Sequence, residues 1–89
     1  MKTIYKYPVP VADSPVIELP TTAKVLHLAA QNGDPFIWCL IDTEDERTVK
    51  RKFRLAGTGH PIEDEEAGHY IGTAQFKGGA LVFHLFEVN

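Results

Sequence analysis

Proline and glycine cut this chain into short segments, and what lies between the cuts has strand character. Thr3-Ile-Tyr-Lys-Tyr7 alternates and then stops at Pro8 and Pro10, which lack the amide donors a sheet ladder needs. Pro15 and Pro20 bound a second short segment, Val16 to Leu19. Ala23 to Ala30 is followed by Gln31-Asn-Gly-Asp34, and an Asn-Gly pair between two apolar runs predicts a tight hairpin turn at Asn32-Gly33. Phe36 to Ile41 is apolar at odd and even positions alike, the pattern of a central strand covered on both faces.

Beyond the acidic turn Asp42 to Glu46, Thr48 to Leu55 alternates cleanly. Val49, Phe53 and Leu55 fall on one face and Lys50, Lys52 and Arg54 on the other, while Arg51 breaks the apolar row. Pro61 to Gly68 has proline where a helix starts, acids where the helix dipole favours them and glycine at its end, so one short helical turn is expected there. His69 to Phe76 and Ala80 to Val88 complete the chain as two strands joined by Lys77-Gly-Gly79. The expected fold is mainly β: a single domain over residues 1–89, six to seven strands, an antiparallel meander rolled into a small barrel or sandwich.

With 44% hydrophobic and 24% charged residues, the chain is too apolar for a disordered one. A domain of this size buries only about 60% of its unfolded surface. Phe36 to Ile41 and Ala80 to Val88 each offer two apolar faces to one small core, which predicts a homo-oligomer in which a second subunit supplies the missing cover. A formal charge of −3 gives no global attraction to nucleic acid or anionic membrane, and duplex binding is not expected. Cys39 is the single cysteine and sits in Phe-Ile-Trp-Cys-Leu-Ile, so a buried, inert thiol in a reducing, cytoplasmic setting is expected. No apolar run approaches the roughly 18 residues that span a bilayer, and no export leader is visible.

One stretch concentrates chemistry. Residues two apart on a strand project the same way about 6.6 Å apart, so Lys50, Lys52 and Arg54 form a linear basic strip. The strip runs into Gly57-Thr-Gly-His60, a turn whose backbone amides, with Thr58, Gly59 and His60, suit an anion-binding nest. The candidate ligand-binding residues are therefore Lys50, Lys52, Arg54, Thr58, Gly59, His60 and Tyr70. The plainer alternatives are a solvated or edge-protecting basic face and a glycine-permitted bend; Tyr70, like Phe36 and Trp38, equally suits core or interface packing.

No metal is expected, because His27, His60, His69 and His84 lack ligand spacing and the thiol lies in an apolar run. No activated nucleophile or environment-separated carboxylate pair is visible, so no cofactor and no catalytic residue are expected. The acids Glu63 to Glu66 read as a solvated knuckle.

Ile4-Tyr-Lys-Tyr-Pro, Leu19-Pro, Ala23-Lys-Val-Leu, Gly57-Thr-Gly-His-Pro-Ile, Tyr70-Ile-Gly-Thr and Gly79-Ala-Leu-Val-Phe-His-Leu-Phe-Glu87 together resemble a family of short phage and prophage proteins that carry a domain of unknown function. The resemblance spans nearly the whole chain and implies a phage-encoded protein in a bacterial cytoplasm, with no catalytic residues to carry over. The expected function is a non-enzymatic accessory protein that blocks or sequesters a host-defence component, either a protein or a small anionic nucleotide. A minor virion structural or assembly protein is the alternative, and a small nucleotide hydrolase using His60 or His69 the third reading.

Overall fold

The computed structural model describes residues 1–88 as two antiparallel sheets packed face to face. The strands are β1 (Lys2–Pro8), β2 (Val16–Pro20), β3 (Lys24–Gln31), β4 (Asp34–Asp42), β5 (Thr48–Gly57), β6 (His69–Phe76) and β7 (Leu81–Val88). Helical structure is confined to single 3-10 turns at Asp64–Glu66 and Lys77–Gly79. The first sheet has the order β1-β4-β3 and the second β2-β5-β7-β6.

The seven-strand sandwich agrees with the sequence, but the meander does not. Only β3–β4 and β6–β7 are hairpins; β1 pairs with β4, β2 with β5, and β5 with β7. Between β1 and β2 the chain passes Pro8, Pro10 and Pro15, which supply no ladder donors, and crosses from one sheet to the other. The turn foreseen at Asn32-Gly33 is there, with φ of 53° and 83°, the doubly left-handed backbone that matches strand twist.

Leu19, Leu28, Ile37, Cys39, Phe53 and Leu85 are the large side chains wholly removed from solvent between the sheets. The sandwich closes on one side where β6 lies against β3. Gly72 stands at this contact, where a β-carbon would sit 3.4 Å from that of Leu28, an ordinary packing distance. On the opposite side β1 and β2 make no comparable contact, so the sandwich stays open between them. As a result Tyr5, on the inward face of β1, is still 52% exposed.

β4 is central to its sheet, as its pattern requires. It is not covered equally on both faces, however. Ile37, Cys39 and Ile41 are buried in the core, whereas Phe36, Trp38 and Leu40 on the outer face are only half-buried. Burial pushes the Cys39 thiol up to about 11.

Candidate functional site

The strip on β5 is not what alternation suggested. Lys50 and Lys52 are exposed, but Arg54 keeps only 6% of its surface. Its position on the polar face is as expected; the difference is that residues 57–68 fold back over that face. There the guanidinium donates from NH1 to the carbonyls of Asp13 at 3.1 Å and Leu55 at 2.9 Å, and from NH2 to Pro61 at 2.9 Å. Nε lies 3.5 Å from Glu66 Oε1 without a hydrogen bond. Arg54 therefore holds a strap in place, and its donors point at backbone rather than at a ligand. Ala56, beneath the same strap, is fully buried.

The acidic knuckle is part of this strap and is not purely solvated. Glu66 is half-buried, and its Oε1 accepts the Glu63 amide at 3.0 Å while facing Arg54. One carboxylate thus closes the 3-10 turn on itself and faces the buried cation at 3.5 Å, as does Asp13, whose Oδ1 lies 3.5 Å from NH1.

The turn at the far end of β5 forms as expected, with Gly59 at φ 87°. His60 folds back so that its Nδ1 accepts the Gly57 amide at 3.3 Å. Its ring occupies the space where a side chain at residue 57 would stand. A cavity of about 280 Å³ opens here, lined by Gly57, Thr58, His60 and Ala80 to Phe83. From Lys52 to Thr58 is six residues, about 20 Å along a strand. The exposed lysines and the turn therefore cannot grip one small phosphate, and Arg54 between them is spoken for.

The structure assembles a chain of polar groups whose composition gave no warning in the sequence. Tyr70 OH lies 2.6 Å from Thr73 Oγ1, which is 2.8 Å from His84 Nδ1; His84 Nε2 is 2.8 Å from Thr58 Oγ1. The register that opposes Thr73 to His84 brings them together. A hydroxyl against an imidazole that is oriented by a second hydroxyl has the outline of a nucleophile with its base. Two features argue against that chemistry. No carboxylate is hydrogen-bonded to the imidazole, whose two nitrogens are taken by Thr58 and Thr73, and His84 does not itself line the cavity, which Thr58, Val82 and Phe83 reach. His27 and His69 lie apart from this cluster, and among the described residues no group of three or more His, Cys, Asp or Glu is placed to hold a metal ion.

The opposite outer face, that of the first sheet, contains a surface that strand patterning concealed. Ile4 is 53% exposed beside half-buried Phe36, Trp38 and Leu40, and Leu26, 43% exposed, stands without a ladder partner at the irregularity of β3 between Val25 and His27. Lys2 and Lys6 on β1 and Lys24 on β3 lie in register with this row: Lys6 opposite Trp38, Lys24 and Ile4 opposite Leu40. Lys6 Nζ stands 4.5 Å above the Phe36 ring and donates to Gln31 Oε1. The His27 ring lies 6.4 Å from that of Trp38. No segment of residues 1–88 roofs this face. The one sequence signal for it was the apolar row on both faces of Phe36 to Ile41.

No helix among the described residues is long and apolar enough to cross a membrane. Residues 1–89 match the family model described as a domain of unknown function, DUF7352, so the chain belongs to that family. No curated protein and no solved structure matches the chain.

Proposed function

We propose that this member of the DUF7352 family is a non-enzymatic binding protein, which captures a partner protein on the outer face of β1-β4-β3. The observation that carries the proposal is the unequal treatment of the two outer faces. The second sheet is roofed over Arg54 and Ala56 by residues 57–68, which Arg54 holds through the Pro61 carbonyl. The remaining exposed apolar side chains of its outer face, Val16 and Tyr70, stand among Lys50, Lys52 and the Thr73–His84 hydrogen bonds rather than in one row. The first sheet leaves Ile4, Leu26, Phe36, Trp38 and Leu40 without cover. An apolar centre with an aromatic anchor and a charged rim is the composition of a protein-docking patch. Lys2, Lys6 and Lys24 at the rim select a partner whose matching patch is bordered by acids.

A nucleotide is a weaker fit, because the basic residues and the Gly57–His60 turn stand too far apart to share one. A second copy of the chain is also a weaker fit, since a two-fold axis through this face would bring lysines toward lysines. A phage-type protein blocking a host-defence component belongs to the same proposal, supported by the resemblance of the Gly57-to-Ile62 and Leu81-to-His84 blocks. In the alternative of a virion assembly protein, the same face would seat a neighbouring subunit.

The test is lysine-directed crosslinking of the protein in host-cell extract, with wild type compared to the double variant Ile4→Asp/Leu26→Asp. Both positions are exposed, so folding should survive. The proposal expects a stoichiometric partner crosslinked through Lys2, Lys6 or Lys24 and lost in the variant. Retention of that partner by the folded variant, or crosslinks confined to Lys50, Lys52 and the strap, would overturn it.

A further inference from the structure

The open side of the sandwich exposes more than a face. β1 pairs with β4 along one edge only, and nothing pairs with its other edge. The ladder fixes which backbone groups are free. Val9 donates to the Pro35 carbonyl at 3.0 Å and Thr43 to the Met1 carbonyl at 2.9 Å, on either side of a register in which Thr3, Tyr5 and Tyr7 oppose Ile41, Cys39 and Ile37. In an antiparallel pair the hydrogen-bonded positions alternate. Odd-numbered residues therefore bond to β4, and the amides and carbonyls of Lys2, Ile4 and Lys6 point outward. None of these three has another backbone partner among the described residues.

From this we infer that β1 is a docking edge, which takes an extended, acidic segment of the partner protein as a fourth strand of the first sheet. The inference rests on the docking face proposed above and deepens it, because the added strand would prolong that face beyond Ile4. Side-chain pattern selects the occupant. On the outer face an incoming strand meets Lys2, Ile4 and Lys6 in turn, so the complementary row is acidic, apolar, acidic. Lys6 gives one donor to Gln31 and keeps two of its three. On the inner face the incoming strand meets Tyr5, whose ring is half-exposed because β1 and β2 do not close on each other.

The same charges disfavour self-pairing. Two copies of β1 pairing antiparallel about Ile4 would set each Lys2 against the partner's Lys6, and pairing over the full length Lys2–Pro8, about Tyr5, would set each Lys2 against the partner's Pro8, which has no amide to donate. Like charges directly opposite destabilise a strand pair. A lysine-bearing edge is also a common protection against aggregation, and the test must separate protection from recognition.

The probe is a synthetic peptide, capped at both ends, in which Glu, Val and Glu occupy alternate positions between threonines. Binding is followed by fluorescence anisotropy and by amide hydrogen exchange of the protein. Saturable binding is expected, with new protection of the Lys2, Ile4 and Lys6 amides. The same peptide N-methylated at the residues facing β1 should bind at least about tenfold more weakly, as loss of two backbone hydrogen bonds implies, and so should the peptide with lysines in place of both glutamates. No saturable binding, binding without protection of those three amides, or equal binding of the N-methylated or lysine peptide would each overturn the inference. Failure here leaves the face proposal standing if Ile4→Asp/Leu26→Asp still loses the crosslinked partner; retention of that partner sinks the face whatever the peptide does.

Discussion

Arg51 and Glu87 meet in a two-point ion pair at the margin of the core: Nε donates to Oε2 and NH2 to Oε1, each at 2.6 Å. The third guanidinium nitrogen, NH1, donates to the Ala23 carbonyl at 2.7 Å, which ties β5 and β7 of one sheet to the start of β3 in the other. The charge that interrupts the apolar row of β5 is thus a link between the sheets.

Removing one member of this pair should cost more than removing both. Glu87→Ala strands a partly buried guanidinium and is expected to lower stability by about 2 kcal/mol, whereas Arg51→Met/Glu87→Leu exchanges the pair for apolar contact. Urea unfolding of the singles and the double gives the coupling. Additive losses would show that the two side chains do not stabilise each other.

Arg54 makes a sharper prediction. Arg54→Ala leaves the Leu55 and Pro61 carbonyls without the guanidinium donor and the Asp13 carbonyl with the Leu55 amide alone, and it empties a buried site, so a loss of about 3 kcal/mol is expected. Glu66→Gln should cost well under 1 kcal/mol, because the 3.5 Å contact to Nε is long and the amide oxygen can still accept from Glu63. Protease cleavage within residues 57–68 should accelerate in Arg54→Ala and not in Glu66→Gln. An Arg54→Ala variant as stable as wild type would mean the strap is held by something else.

These two arginines show where sequence reading stops. Alternation assigned Arg54 to the polar side of β5, which is correct, but strand periodicity reports direction and not cover. The cover comes from residues 57–68, distant in pairing though close in sequence. Local signals fared well: the Asn32-Gly33 turn needs left-handed φ at both residues, and Asn-Gly supplies it. Pairing order was invisible, because nothing in Pro8 to Pro15 encodes that β1 belongs beside β4. The bare face was half-visible. Phe36, Trp38 and Leu40 announced a second apolar face, but only the assembled sheet shows that it is left without a roof.

Cys39 couples folding to alkaline pH. Its thiol has a raised value of about 11 against 9.0 for an ordinary one, chiefly through burial, with Arg51 opposing and Glu87 reinforcing. Below pH 9 both folded and unfolded thiols are protonated and the full stability is present. Between pH 9 and 11 only the unfolded thiol ionises, so stability falls as pH rises, by at most about 1.4 kcal/mol per pH unit from this group. Cys39→Ala should be less stable at neutral pH yet show a shallower decline over that window. Equal slopes would remove Cys39 from the account, as would rapid alkylation of the native thiol at pH 8.

Gly57 and Gly59 are both glycines of one turn, yet they should fail for different reasons when substituted. At Gly59 a β-carbon would meet nothing within 4 Å, so the obstacle is backbone alone: φ is 87°. Gly59→Asn should then cost little and Gly59→Val clearly more, since a β-branched residue resists the left-handed region. At Gly57 φ is not left-handed, and a β-carbon would stand 2.9 Å from His60 Cε1 and 3.1 Å from Nδ1. Gly57→Ala must displace that ring and break the hydrogen bond from the Gly57 amide to Nδ1. With His60→Ala already in place the clash is gone, and alanine, which loses less backbone freedom on folding than glycine, should be neutral or stabilising by up to about 1 kcal/mol. The four proteins form a double-mutant cycle read by thermal or urea unfolding. A change of sign for Gly57→Ala between the two backgrounds confirms that the imidazole occupies the glycine's vacant side. The same penalty in both would mean that some other neighbour requires glycine there.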